Sequence, residues 1–198
     1  AIILRYNLSK EHNLYLLSDS DSSIANRIFE KEYATYTGKS RREFINLRTP
    51  REQIKLSDVI LPNIQFETHE LQEFKNSISS LIVKADEDFK LPAFIYKNVG
   101  FQLGKGGLHT EDSGLSIKSD DDWIIIDADV TSYYPSIIIN YKIKPEHFKD
   151  DSFNAIVTKL RDNRVEAKKR KDKVAAEGLK IVINSIFGKL GLETGFLY

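Results

Sequence analysis

One stretch limits the folds open to this chain more than any other. Trp123-Ile-Ile-Ile126 is a short apolar run rich in β-branched residues, and it ends abruptly in a carboxylate, Asp127. An apolar run bounded in this way reads as a buried strand. Two residues on stands a second acid, Asp129, which strand alternation puts on the same face as Asp127. The chain then turns through Thr131-Ser132, carries two rings at Tyr133 and Tyr134, and is stopped by Pro135. A hydrophobic strand that delivers an acid to its exposed end suits a hard divalent cation, because Mg²⁺ takes oxygen ligands on a rigid support. On spacing alone, a core strand with a solvated Asp and a type I turn before Pro135 accounts for the same residues.

Composition closes off several classes. At 198 residues, 41% hydrophobic and 29% charged, the chain has room for one or two globular domains with a core. It holds no apolar run of bilayer length and no cleavable signal at its start, so a cytoplasmic protein is expected (the host cytoplasm if it is viral), with no membrane partner. With no cysteine, disulfides and thiolate metal sites are excluded, and a reducing compartment is compatible. A net charge of zero argues against a wholly basic nucleic-acid coat and leaves local patches open. The chain begins with Ala and contains no Met, which a fragment of a longer protein explains.

Residues 1–35 place apolar side chains at helical spacing, through Leu8, Leu14, Leu16, Ile24, Ile28, Phe29 and Tyr33. Ser18-Asp-Ser-Asp-Ser-Ser23 supplies N-caps for the helix that follows. Asp19 and Asp21 do not open a calcium loop, since the required Gly and closing Glu are missing. Residues 36–64 are polar, broken by Gly38, Pro50 and Pro62, and read as a solvated loop. Helical spacing returns from Phe66 to Val83, where His69-Glu70 lacks the second His of a zinc helix. Residues 92–103 read as one or two strands entering Gly104-Lys-Gly-Gly-Leu-His109, a tight hairpin turn in its simplest form. The acids from Glu111 to Asp122 read as a solvated turn.

Beyond Pro145 the pattern changes. Phe153, Ile156, Val157 and Leu160 form an apolar helical stripe, followed by a dense run of Lys and Arg. Arg164 and Lys168, at i and i+4, share a face that is solvated by default and suits a triphosphate if one binds. Ala175-Ala-Glu-Gly178 reads as an interruption before a second helix from Leu179. On that helix Lys180, Asn184 and Phe187 fall on one stripe, while Leu179, Val182, Ile183, Ile186 and Leu190 can pack inward. A polar and aromatic stripe on an otherwise apolar helix needs a partner, and a nucleotide supplies one.

The order of residues now says more than their spacing. Asp129-x-x-Ser132-x-Tyr134-Pro135-Ser136 resembles the first catalytic motif of the family B DNA polymerases, with Tyr133 where Leu is usual. Lys180-x-x-x-Asn184-Ser185-x-Phe187-Gly188 resembles their second motif, with Phe187 in place of Tyr, which keeps the ring and loses a hydroxyl. Arg164-x-x-x-Lys168 is similar to the family's other phosphate-binding pair. The glycine turn, with Gly106 and Gly107, is similar to the template-contacting loop of phage enzymes, with Phe101 the nearest ring to the expected Tyr. Together the three motifs and the turn cover about residues 100–198, and the chain is identified as a member of this family, of the phage-type replicative kind.

What the resemblance implies is an α+β fold: an antiparallel palm sheet with a two-helix fingers insertion, preceded by a mainly helical connecting region. Residues 1–90 would be that connecting region, 91–150 the first part of the palm, 151–190 the fingers, and 191–198 the return to the palm. The implied activity is template-directed DNA synthesis from deoxynucleoside triphosphates on primer–template DNA, with replication accessory proteins as further partners. Asp129 and Val130 would hold two Mg²⁺ ions, in a site completed by a carboxylate outside this chain. Ser132, Tyr133, Tyr134, Arg164, Lys168, Lys180, Asn184 and Phe187 would bind the nucleotide, with Tyr134 under the deoxyribose. Gly106, Gly107, Ser185 and Gly188 would contact DNA. Asp127 stands outside the motif. The family's later strand of Tyr-x-Asp-Thr-Asp type has no counterpart between Gly191 and Tyr198, so this chain alone is expected to extend no primer. The alternative is a non-enzymatic nucleotide- and nucleic-acid-binding remnant of such an enzyme.

Overall fold

The computed structural model describes residues 2–85, 91, 93–104, 107–111, 114, 116–192 and 195–198. Along the chain run α1 (Ile2–His12), α2 (Asp21–Thr37), α3 (Arg41–Phe44), β1 (Gln53–Lys55), a 3₁₀ turn (Leu56–Asp58), α4 (His69–Ser79), β2 (Ile82–Lys84), β3 (Phe94–Tyr96), β4 (Val99–Gly104), β5 (Gly107–Thr110), α5 (Tyr133–Asn140), α6 (Ser152–Lys169) and α7 (Lys173–Lys189). They divide into two units, one of residues 1–50 with 129–198 and one of residues 51–128. The content is α+β, with both sheets antiparallel.

The first unit is helical, and its sequence dictates how. Among the candidate caps, Ser20 opens α2: it is extended (φ −69°, ψ 158°), and its side chain accepts from the Ser23 N–H. Gly38 closes α2 at φ 71°, a left-handed conformation that glycine takes without a Cβ penalty. The expected apolar stripes face inward: Ile24, Ile28, Phe29 and Tyr33 from α2, Phe153, Ile156, Val157 and Leu160 from α6, and Leu179, Val182, Ile183 and Ile186 from α7 are all buried. At the centre lies a cluster of rings. Tyr33 and Phe44 are 4.8 Å apart between centroids, Phe44 and Phe196 4.9 Å, and Phe148 and Phe153 5.2 Å. Each such side chain contributes about 1.5–3 kcal/mol on burial. Near the start of α6, Asp150 accepts from the Ser152 N–H at 3.0 Å and from its hydroxyl, and that hydroxyl bond leads in holding the Asp150 carboxyl below its usual range. Thr49 Oγ1 accepts from the His147 N–H at 3.1 Å, tying the end of the first segment to the middle of the second.

In the second unit β1 and β2 pair antiparallel (Ile54 opposite Val83), and β3, β4 and β5 form a three-stranded meander. Lys97 and Asn98 join β3 to β4 at φ 50° and 64°, the two positive values that a tight two-residue hairpin requires. Phe94 lies opposite Phe101 across the ladder and stacks on Phe74 at 3.8 Å. The expected strands before the glycine turn are therefore present.

Five local expectations are corrected. The helical spacing from Phe66 to Val83 is helix only over His69–Ser79, because Ile82–Lys84 pairs with β1 as a strand. Trp123-Ile-Ile-Ile126 is not a buried strand. These residues belong to no regular element and are 75, 77, 58 and 77% exposed, because no described strand offers them a ladder. Asp127 and Asp129 are accordingly not on one face of a strand. Pro135 does not stop the chain but sits buried in the first turn of α5, where a missing N–H breaks no helical hydrogen bond. The polar segment 36–64 is not wholly loop, since it contains α3, β1 and a 3₁₀ turn, and Phe44 is fully buried. The break between the last two helices lies at Arg170–Asp172 rather than at 175–178. Lys171 turns at φ 60° and Asp172 caps α7 by accepting from the Ala175 N–H. Gly178 lies inside α7 because Leu8 of α1 packs on it: a Cβ there would meet Leu8 Cγ at 3.3 Å.

Candidate functional site

Three segments far apart in sequence meet in the first unit. Ser132 N-caps α5 in a left-handed conformation (φ 56°, ψ 49°), unusual for a residue with a Cβ. Strain of this kind persists only where the surroundings hold it, and it gathers at functional sites. What holds Ser132 is Arg164 of α6, whose Nη1 donates to its Oγ at 2.9 Å. The Ser132 side chain makes no cap hydrogen bond to α5, so it leaves the first N–H groups of that helix to other acceptors.

The next residues carry the rings. Tyr134, the second residue of α5, stacks on Phe187 of α7 with centroids 4.1 Å apart and planes 19° apart, and Tyr133 follows at 5.4 Å from Tyr134. All three remain exposed, at 52% for Tyr133, 40% for Tyr134 and 39% for Phe187, so they present an aromatic surface to solvent rather than filling the core. α7 supplies this ring because its apolar residues face inward, which leaves Lys180, Asn184, Phe187 and Gly188 outward and Ser185 half-buried. Lys180 lies 3.8 Å from Glu177, one turn back on the same helix.

The cations differ in setting. Arg164 is half-buried, and its Nε is a buried donor without a partner among the described residues, so an oxygen acceptor arriving there would relieve a desolvated N–H. Lys168, one turn on, is exposed. Chemically the arrangement offers helix N–H groups and a guanidinium for a phosphate, and a flat ring surface for a base or sugar.

Other expected residues are not gathered in this way. Asp127, Asp129 and Val130 lie exposed on a segment without regular structure. Among the described residues no group of three or more His, Asp or Glu side chains converges. Mg²⁺ demands near-octahedral oxygen coordination. Asp129 and Val130 by themselves supply only part of such a coordination shell. Gly107 is in the second unit, at the start of β5 with φ 124°, and Gly106 lies outside the described residues.

One cluster escaped the reading of the sequence. Glu32 of α2 lies 3.6 Å from Nδ1 of the buried His12 and 2.6 Å from Nζ of Lys159, so it links α1, α2 and α6. The His12 contact leads in lowering its pKa to about 2, with Lys159 adding to it against the opposing effect of burial. Nothing marks Glu32 beforehand, because its partners are 20 residues back and 127 residues on.

Compared with known proteins, the chain gives no significant match to any family model, to any curated protein or to any solved structure.

Proposed function

We propose that this chain binds a deoxynucleoside triphosphate as part of a family B-type DNA polymerase, the site being the surface formed by α5, α6 and α7. The observation that carries this is the meeting of three motifs recognised separately in sequence: Ser132 bonded to Arg164, and Tyr134 stacked on Phe187. Nothing in general packing requires residues of three polymerase-like motifs to touch. In this reading Arg164, Lys168 and Lys180 meet the phosphates, and Tyr134, Asn184 and Phe187 meet base and sugar. The α6–α7 hairpin corresponds to the fingers, and primer–template DNA is the second ligand. Ser185, Gly188 and the glycine turn are its proposed contacts.

The test is titration of the chain with a fluorescent deoxynucleoside triphosphate in the presence of Mg²⁺. Saturable binding is expected, and Arg164→Ala and Lys180→Ala should each weaken it about tenfold, the scale of one charge-assisted hydrogen bond. Absent binding, or binding that both variants leave unchanged while retaining their helical spectrum, overturns the proposal. Primer extension by this chain alone is not expected, because no Tyr-x-Asp-Thr-Asp sequence accompanies the two motifs in it.

A further inference from the structure

The flank of α6 that carries Arg164 to Ser132 extends to a cation outside the set assigned above. Asn154, Arg161 and Lys168 recur every seven residues, so they fall nearly in line along α6, with Arg164 beside the last two. Arg161 and Arg164, three residues apart, are neighbours on the helix surface. Both are half-buried and share one anomaly. In each, the guanidinium Nε is a buried donor with no hydrogen-bond partner among the described residues. Buried N–H groups are nearly always met, so two unmet ones side by side mark a place where an acceptor is wanted.

Arg161 does have a charge next to it. Its Nε lies 2.6 Å from Oδ1 of Asp162, the following residue, yet the two are not aligned as a hydrogen bond and the N–H stays unmet. The side chain of Asp162 is 57% exposed and that of Arg161 29%, so the carboxylate keeps most of its water while the guanidinium does not.

We propose that Arg161 is a further phosphate-binding residue of the α5–α6–α7 surface: with Arg164 it takes the terminal phosphate of a nucleoside triphosphate, and Asp162 holds it until that phosphate arrives. This rests on the nucleotide reading above and adds which part of the nucleotide is selected. A terminal phosphate carries three acceptor oxygens and more charge than one carboxylate, so it meets both Nε–H groups and displaces Asp162. Guanidinium groups suit the task because their donors form a planar fork that matches phosphate geometry. Lys168, one turn beyond Arg164, adds a point charge. Asn154 stands two turns before Arg161, about 10.5 Å along the axis, and takes no part. The site therefore selects a triphosphate over a monophosphate through Arg161.

The test is a competition titration of the full chain, in Mg²⁺, with a deoxynucleoside triphosphate, the matching monophosphate and inorganic tripolyphosphate. Arg161→Ala should weaken the triphosphate and tripolyphosphate about tenfold and leave the monophosphate unchanged. Arg161→Lys, which keeps the charge and loses the fork, should restore only part of that loss. Asp162→Asn, at an exposed position, should act the other way and tighten the triphosphate about threefold, which keeps the idea refutable even if Arg161→Ala disturbs folding. Asn154→Ala should alter none of the three affinities. If the wild type binds triphosphate and Arg161→Ala does not weaken it, or weakens monophosphate equally, the role of Arg161 is overturned while the nucleotide site stands. An Asp162→Asn variant that binds no tighter overturns the displacement of Asp162. A wild type that binds no triphosphate overturns both readings.

Discussion

Replacing Glu32 by Gln removes one charge from the junction of three helices and keeps the side chain's shape. The wild-type carboxyl ionises at about 2 instead of 4.5, with the contact to His12 the leading cause and Lys159 the next that lowers it. At 1.36 kcal/mol for each tenfold change in ionisation constant, that depression corresponds to an upper bound of about 3 kcal/mol of folding stability at neutral pH. Lys159 is 55% exposed at its side chain, and solvent screening there brings the expected figure nearer 2 kcal/mol. The sign follows from linkage. A carboxyl whose folded pKa is depressed stabilises fully above its unfolded pKa, and the stabilisation is lost as pH falls through the folded one. Glu32→Gln should therefore unfold in urea about 2 kcal/mol more readily at pH 7, and the gap to wild type should narrow as pH drops from 4.5 towards 2. Circular dichroism at 222 nm is the appropriate signal, since the long helices that meet at Glu32 dominate it. A gap that stays constant from pH 7 to pH 3, or no gap at pH 7, would show that the contact with His12 and Lys159 stabilises nothing.

Two further outcomes test packing and specificity. Gly178→Val drives a branched side chain into Leu8, already 3.3 Å from where a Cβ would stand, and should lower stability by about 1–3 kcal/mol in the same urea experiment; a variant as stable as wild type shows that α1 can shift away. If Tyr134 lies under the deoxyribose, Tyr134→Ala should bring ribonucleoside triphosphate binding close to that of the deoxy form, and unchanged discrimination between the two sugars refutes that assignment.

The helices were legible because their signal is local and periodic. The stripes on α2, α6 and α7 declare both an element and its buried face, and Phe153, Leu160, Val182 and Ile186 all lie where spacing puts them. Strand placement was legible at β3 and β4 for a related reason, a turn bounded by short extended runs. At Trp123–Ile126 the same kind of signal misled. A strand is completed by a neighbour, and composition can announce the demand for one without supplying it. The end of α6 was misplaced because Gly178 has the look of a breaker, and only the approach of Leu8, some 170 residues earlier, explains a glycine inside a helix. At the site, the stripe of Lys180, Asn184 and Phe187 was visible from its period. The bond from Arg164 to Ser132 and the stack of Tyr134 on Phe187 were not, since both join positions more than 30 residues apart.

The division of the chain into units also fixes the order in which it can fold during synthesis. α2 emerges before the rings that cover it, Phe148, Phe153 and Phe196. Roughly 160 residues separate Tyr33 from Phe196, so at about 5–20 residues per second the face of α2 waits some 10–30 s for its cover. Residues 51–128 are made in that interval, and their β-hairpins close within microseconds of emerging. The ribosome thus delivers the inserted unit while the surrounding one is still without half of its core. During those seconds Phe29 lacks the three rings that later cover it.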